Sequence, residues 1–200
     1  MKNKESSHSG SPESSLIEKK KSSRQVYDGK LLKVFCDEVT LPDQTFSTRE
    51  WIKHPGACAV VPVFEDGTIM LLKQFRYPPK KIFIEVPAGK IDAGEDPAVT
   101  AERELLEESG VRCENLVHVG HFFPAIGYAD EIIHTYVAWG LTVEDQNTDE
   151  DEFLKPYKIP YQKAIQMIAS GEITDAKTIT ALIQVKMWWL KNQPFQVSFS

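Results

Sequence analysis

The chain has 200 residues with 42% apolar and 26% charged side chains and a net charge of −6, enough for one globular core. A pI near 5.4 argues against wrapping a phosphate backbone, and no apolar run approaches the ~20 residues that span a bilayer. Three cysteines, Cys36, Cys58 and Cys113, are odd in number and form no C-x-x-C pair; packed, reduced thiols in the cytoplasm are expected.

Residues 1–24 are rich in Ser, Lys, Glu and Gly, with only Leu16 and Ile17 apolar after Met1. They lack the run of ~7–15 apolar residues of a secretory signal and predict a solvated tail. From there the pattern alternates strands and turns. Gly29 to Phe35 and Thr45 to Ile52 read as strands ahead of the main domain. Ala57 to Val63 is apolar and β-branched, Glu65-Asp66-Gly67 is a turn, and Thr68 to Gln74 returns as a strand. Lys81 to Val86 alternates polar and apolar residues and ends at Pro87-Ala88-Gly89. Leu116 to Phe123 and Ile132 to Trp139 are two further strands, with a turn-rich stretch from Pro124 to Asp130 between them. Tyr161 to Ser170 and Ala176 to Lys191 have helical periodicity. The order predicts an α/β fold of the α+β type, a mixed sheet between helices.

The chemistry lies in residues 89–111. Asp96-Pro97 is a helix start, with a side-chain acceptor at the cap and Pro at the first position; Gly110 is a stop. On the intervening helix Glu104, Glu107 and Glu108 fall within an arc of about 100°, with Ala98, Ala101 and Leu105 beside it to face a sheet. Three carboxylates on one stripe repel each other, and Arg103 is the only base on the helix. An isolated Glu-x-x-Glu-Glu is most simply a solvated face. A divalent cation held by oxygen ligands is the alternative, and the rest of the segment favours it. Gly89, Glu95, Arg103, Glu104, Leu105, Glu107, Glu108, Gly110 and Val111 occupy every defined position of the Nudix box, so the chain resembles that family strongly.

That resemblance implies an α/β/α sandwich in which the box forms a loop, a helix and a loop. Glu104 and Glu108 would be the principal Mg²⁺ ligands, with Mn²⁺ as the alternative ion, and Glu107 a further one. Glu95 and Arg103 would hold loop and helix in register. The flanks, Gln74-Phe75-Arg76, Glu85 to Gly89, Asp130 to Ile133, Asp149 to Phe153 and Gly171 to Thr178, resemble the ADP-ribose pyrophosphatase and nucleotide-sugar branch. The likeness then adds the Ala88 carbonyl and Glu152 as metal ligands and Glu150 as base, with a slip among Asp149, Glu150, Asp151 and Glu152 left open. Arg76 would contact a phosphate, Glu131 the sugar or diphosphate with Arg49 as partner, and Trp51 a nucleobase. Bland readings stand beside these: a surface arginine, a core aromatic, a solvated acidic loop. His121 and His134, in apolar strand contexts, take no role. Ala125-Ile126-Gly127 departs from the branch's usual Ser-Pro-Gly and leaves GDP-mannose-like substrates open.

The expected reaction is cleavage of ADP-ribose or a related nucleoside diphosphate sugar to a nucleoside monophosphate and a sugar phosphate. Alternatives are another nucleotide substrate, such as a dinucleoside polyphosphate, and a non-catalytic ADP-ribose sensor; the intact box speaks against the sensor. The branch also implies a homodimer, with residues 25–56 exchanged between subunits and residues 57–195 forming the hydrolase domain. Neither nucleic acid nor membrane is expected as a partner.

Overall fold

The structure, a computed structural model, describes residues 15–144 and 153–194. The chain divides into two compact units, Met1–His54 with Ala125–Asp130, and Pro55–Pro124 with Glu131–Ser200.

The first unit is a three-stranded antiparallel sheet of β1 (Lys19–Asp28), β2 (Lys33–Thr40) and β3 (Phe46–Lys53), in that order. β1 begins at Lys19, inside the stretch expected to be a tail. All ten of its residues are exposed, so backbone pairing to β2, not burial, forms this strand, and no apolar pattern announces it. β2 starts later than its sequence suggests. Gly29 N–H bonds the Leu32 carbonyl at 2.9 Å, which makes residues 29–32 the turn of the hairpin. The segment Ala125–Asp130 joins this unit through Ile52 N–H to the Tyr128 carbonyl at 2.8 Å and His54 N–H to Asp130 Oδ1 at 2.7 Å.

The second unit holds two sheets. One has the order β10-β5-β6 and the other β7-β4-β9-β8, from β4 (Ala57–Pro62), β5 (Thr68–Arg76), β6 (Lys81–Glu85), β7 (Ala88–Lys90), β8 (Val111–Phe122), β9 (Ile133–Val143) and β10 (Leu154–Pro160). β4 and β9 run parallel while every other pairing is antiparallel, which is the mixed sheet expected. β4 is buried along its whole length, and its period of two splits it between two cores. Ala57, Ala59 and Val61 face Tyr161, Ala164, Leu182, Val185 and Trp189 of helices α2 (Tyr161–Ala169) and α3 (Ala176–Asn192). Cys58 and Val60 face Ala101 and Leu105 of helix α1 (Pro97–Ser109). Helices on both faces of a central mixed sheet make the α/β/α sandwich predicted.

The caps of α1 are those read from sequence. Asp96 accepts the Ala98 N–H at 2.8 Å, and Gly110 sits at φ 64°, its N–H on the Leu106 carbonyl at 2.8 Å. Left-handed backbone here suits a residue without a Cβ.

Candidate active site

β7 and α1 form the two sides of the acidic segment. Glu108 is 4% exposed because Leu105 and Ala101, both fully buried, hold this face of the helix against the sheet. Its Oε2 accepts the Ala88 N–H at 2.7 Å, so a buried carboxylate clamps the strand on which the Ala88 carbonyl sits. Glu104 presses on the next residue: a Cβ added to Gly89 would fall 1.9 Å from the Glu104 Cδ. Only glycine leaves room for that carboxylate. Cys58 lies behind the helix, its Sγ donating to the Pro97 carbonyl at 3.0 Å. Burial, then the charges of Glu104, Glu95 and Asp96, push its thiol up to about 12, too high for a thiolate at neutral pH.

Arg103 is the hub of the remaining carboxylates. Its Nη1 donates to Glu104 at 2.8 Å and to Glu107 at 3.0 Å, and its Nε and Nη2 to Glu95 at 3.2 and 3.1 Å. Nη2 also reaches the Lys90 carbonyl at 3.4 Å, so Arg103 links the loop to the helix. Glu95 further accepts Thr100 Oγ1 at 2.7 Å and the Asp92 N–H at 3.3 Å. The Arg103 bond first, and the Thr100 bond next, hold its carboxyl down at about 2. Four carboxylates thus stand against one guanidinium.

That excess of negative charge and the all-oxygen donors fit a hard divalent cation. Among the described residues no three or more His, Cys, Asp or Glu side chains are already gathered to hold a metal ion. Glu150 and Glu152, expected as base and further ligand, lie outside the described residues.

Beside the box, Arg76, Phe83, Glu85, Glu131, Asp175 and Lys177 line a cleft of about 410 Å³. Glu85 is 3% exposed and accepts both Nε and Nη2 of Arg76, at 2.8 and 2.7 Å, and Lys177 Nζ at 3.0 Å. Burial pushes the Glu85 carboxyl up, but the two cations outweigh it and the net shift is downward. The bidentate grip on Nε and Nη2 fixes the Arg76 fork at the cleft wall. Asp175 caps α3, accepting the Thr178 N–H at 3.0 Å and Oγ1 at 2.7 Å, while Thr178 Oγ1 accepts the Val86 N–H at 3.0 Å. The start of α3 is therefore pinned to the residue after Glu85, and three residues along the chain from Glu85 lies Ala88 of the box.

Of the other sequence candidates, Glu131 lines this cleft. Arg49 and Trp51 belong to the first unit. The Arg49 guanidinium is gripped by Glu18 on two nitrogens and also donates to Ser47 Oγ and the Thr48 carbonyl. Trp51 stacks on Phe35 with ring centroids 5.1 Å apart. The Glu85–Lys177–Asp175 network was not singled out from sequence, although a glutamate directly after the apolar run Ile82-Phe83-Ile84, at the buried end of β6, is an irregularity that marks it.

Carboxylates in excess of the cations facing them, beside a cleft whose own cations are held rigid, are the equipment of a phosphate-ester hydrolase that uses a divalent metal. Comparison with known proteins carries this further. A NUDIX domain model matches residues 53–182, and the model of the nucleoside diphosphate sugar hydrolase N-terminal domain matches residues 18–52. An ADP-ribose pyrophosphatase of Bacillus subtilis is 41% identical over 84% of this chain and 92% of its own length. The methanol dehydrogenase activator of Bacillus methanolicus is 41% identical over 82% and 90%. A GDP-mannose pyrophosphatase of Yersinia enterocolitica is 33% identical over 58% and 65%. A solved structure described as an ADP compounds hydrolase superposes with a TM-score of 0.78 at 23% identity, over 90% of this chain and 98% of that one, which shows the shared fold. The chain belongs to the Nudix family and is a Nudix hydrolase, an enzyme class dependent on a divalent metal. No described helix is long and apolar enough to cross a membrane.

Proposed function

We propose that this enzyme hydrolyses the diphosphate of ADP-ribose or a closely related nucleoside diphosphate sugar, yielding a nucleoside monophosphate and a sugar phosphate. The observation that carries the reading is the direct join between cleft and box. Glu85 holds the phosphate-suited Arg76, and Ala88, three residues on, is clamped by Glu108. The N-terminal domain match and the names of the 41% and 33% relatives support the substrate class.

Ala88, Glu104 and Glu108, with Glu152, are the residues we assign to hold Mg²⁺. These residues would hold a divalent ion that would supply positive charge against the diphosphate and make water more acidic. The chain's own groups do the remainder. Arg76 binds a phosphate oxygen, with Lys177 adding positive charge behind it. Glu131 takes a hydroxyl of the sugar. Glu150 accepts the proton of the attacking water. Arg103 and Glu95 keep loop and helix in register, and Glu107 shares Arg103 with Glu104. We assign Arg49 as the partner of Glu131 and Trp51 to the nucleobase.

A second reading, a GDP-mannose-like substrate, is favoured by Ala125-Ile126-Gly127, where no side-chain hydroxyl is offered. The first unit exposes Val26, Tyr27, Leu31, Leu32 and Phe46, which supports a homodimer, and three unpaired cysteines support a cytoplasmic setting. Replacement of Glu108 tests the reading. Glu108→Gln keeps an acceptor for the Ala88 N–H but removes the charge, so the fold should survive while turnover of ADP-ribose falls by about 10³ or more. Near wild-type turnover at saturating Mg²⁺ would overturn the assignment.

A further inference from the structure

Outside the box and its cleft, one cluster of metal-competent side chains is built by a defect in the sheet. β8 and β9 pair with Val117 opposite Val137, His118 opposite Tyr136, Gly120 opposite Thr135 and His121 opposite His134. One residue, Val119, has no partner, a β-bulge. In a regular strand His118 and His121, three apart, would point to opposite faces. The extra residue brings both onto the face that carries His134, as bulges re-aim side chains.

The outcome is three imidazoles in one patch. His134 Nδ1 lies 3.3 Å from His118 Nε2. The ring centroid of His134 is 5.4 Å from that of His118 and 6.1 Å from that of His121. Metal–nitrogen bonds of ~2.0–2.1 Å in a tetrahedral arrangement put two ligating nitrogens about 3.3 Å apart and their ring centres roughly 5 Å apart. The His118–His134 nitrogens, hydrogen-bonded to each other here, have that spacing, and a cation would replace the shared proton. As the chain stands the three rings are not gathered on one point; His121 is exposed, and the site requires its ring to turn toward the other two.

We propose that His118, His121 and His134 form a second metal site, distinct in chemistry from the glutamate box, that takes a late transition ion such as Zn²⁺ through imidazole nitrogens. Imidazole prefers Zn²⁺, Ni²⁺ and Cu²⁺, whereas the all-oxygen box prefers Mg²⁺ and Mn²⁺, so excess Mg²⁺ masks the box and leaves this site open.

The full chain is titrated with Zn²⁺ by calorimetry in excess Mg²⁺, alongside His118→Ala, His134→Ala and the box variant Glu104→Gln. One Zn²⁺ per chain is expected, with affinity reduced roughly tenfold or more in each histidine variant and unchanged in Glu104→Gln. Proton NMR of the unsubstituted chain gives a reading that does not depend on the variants folding: the ring resonances of His118, His121 and His134 should move with Zn²⁺ while those of His54 do not. Equal affinity in the histidine variants, loss of binding in Glu104→Gln, or unmoved ring resonances would overturn the site.

Discussion

Gly89→Ala separates the chemistry of the box from its stability. Gly89 has no left-handed φ, so alanine is acceptable to the backbone, and the perturbation is one methyl group. That Cβ would lie 1.9 Å from the Glu104 Cδ and Oε1 and 2.3 Å from Oε2. Ordinary contact begins near 3.4 Å, so the carboxylate must retreat by roughly 1.5 Å, and its 2.8 Å bond to Arg103 must be remade. Glu104 is a flexible side chain, so the fold should lose only about 1–2 kcal/mol. A misplacement of about 1 Å at a reacting centre costs on the order of 10²-fold in rate, or about 2.7 kcal/mol in barrier. Initial rates of ADP-ribose cleavage across an Mg²⁺ series, paired with thermal melts, read both quantities. Activity within about threefold of wild type would refute the placement of Glu104 at the reaction. So would a rate loss that merely follows a loss of folded protein.

Two further outcomes are expected. Arg76→Lys keeps the charge but not the planar fork, so KM for a nucleoside diphosphate sugar should rise roughly tenfold, about 1.4 kcal/mol, with a smaller change in kcat; an unchanged KM would place the phosphate elsewhere. The Glu95 carboxyl is held down at about 2 from an ordinary 4.5. A lowered folded value gives stability that is complete above about 4.5 and lost as pH falls toward 2. The melting-temperature gap between wild type and Glu95→Gln should therefore shrink on acidification from pH 6 to pH 3, and a constant gap would contradict the Arg103–Glu95 account.

Much of this was legible in the sequence where burial writes a period. β4 and α1 carry their partners in their patterns, and the caps Asp96 and Gly110 are local chemistry that no tertiary contact needed to override. β1 left no trace because all ten residues are exposed and its order comes from pairing with β2. β10 was hidden by Pro156 and Pro160, which an edge strand of the β10-β5-β6 sheet tolerates. At the site, the box is contiguous and could be read as a unit. The Glu85–Arg76–Lys177 network joins residues up to 101 positions apart in number only through folding, and the convergence of His118 with His121 depends on a bulge that spacing alone does not reveal.

The central claim is tested most directly by identifying the products. ADP-ribose incubated with the enzyme and Mg²⁺ is followed by phosphorus NMR, with Glu108→Gln in parallel. The account predicts that the diphosphate signals give way to those of AMP and ribose 5-phosphate in equal amounts, and that the variant leaves the substrate intact. An intact diphosphate with the wild-type enzyme, for ADP-ribose and for GDP-mannose, with Mg²⁺ and with Mn²⁺, would contradict it.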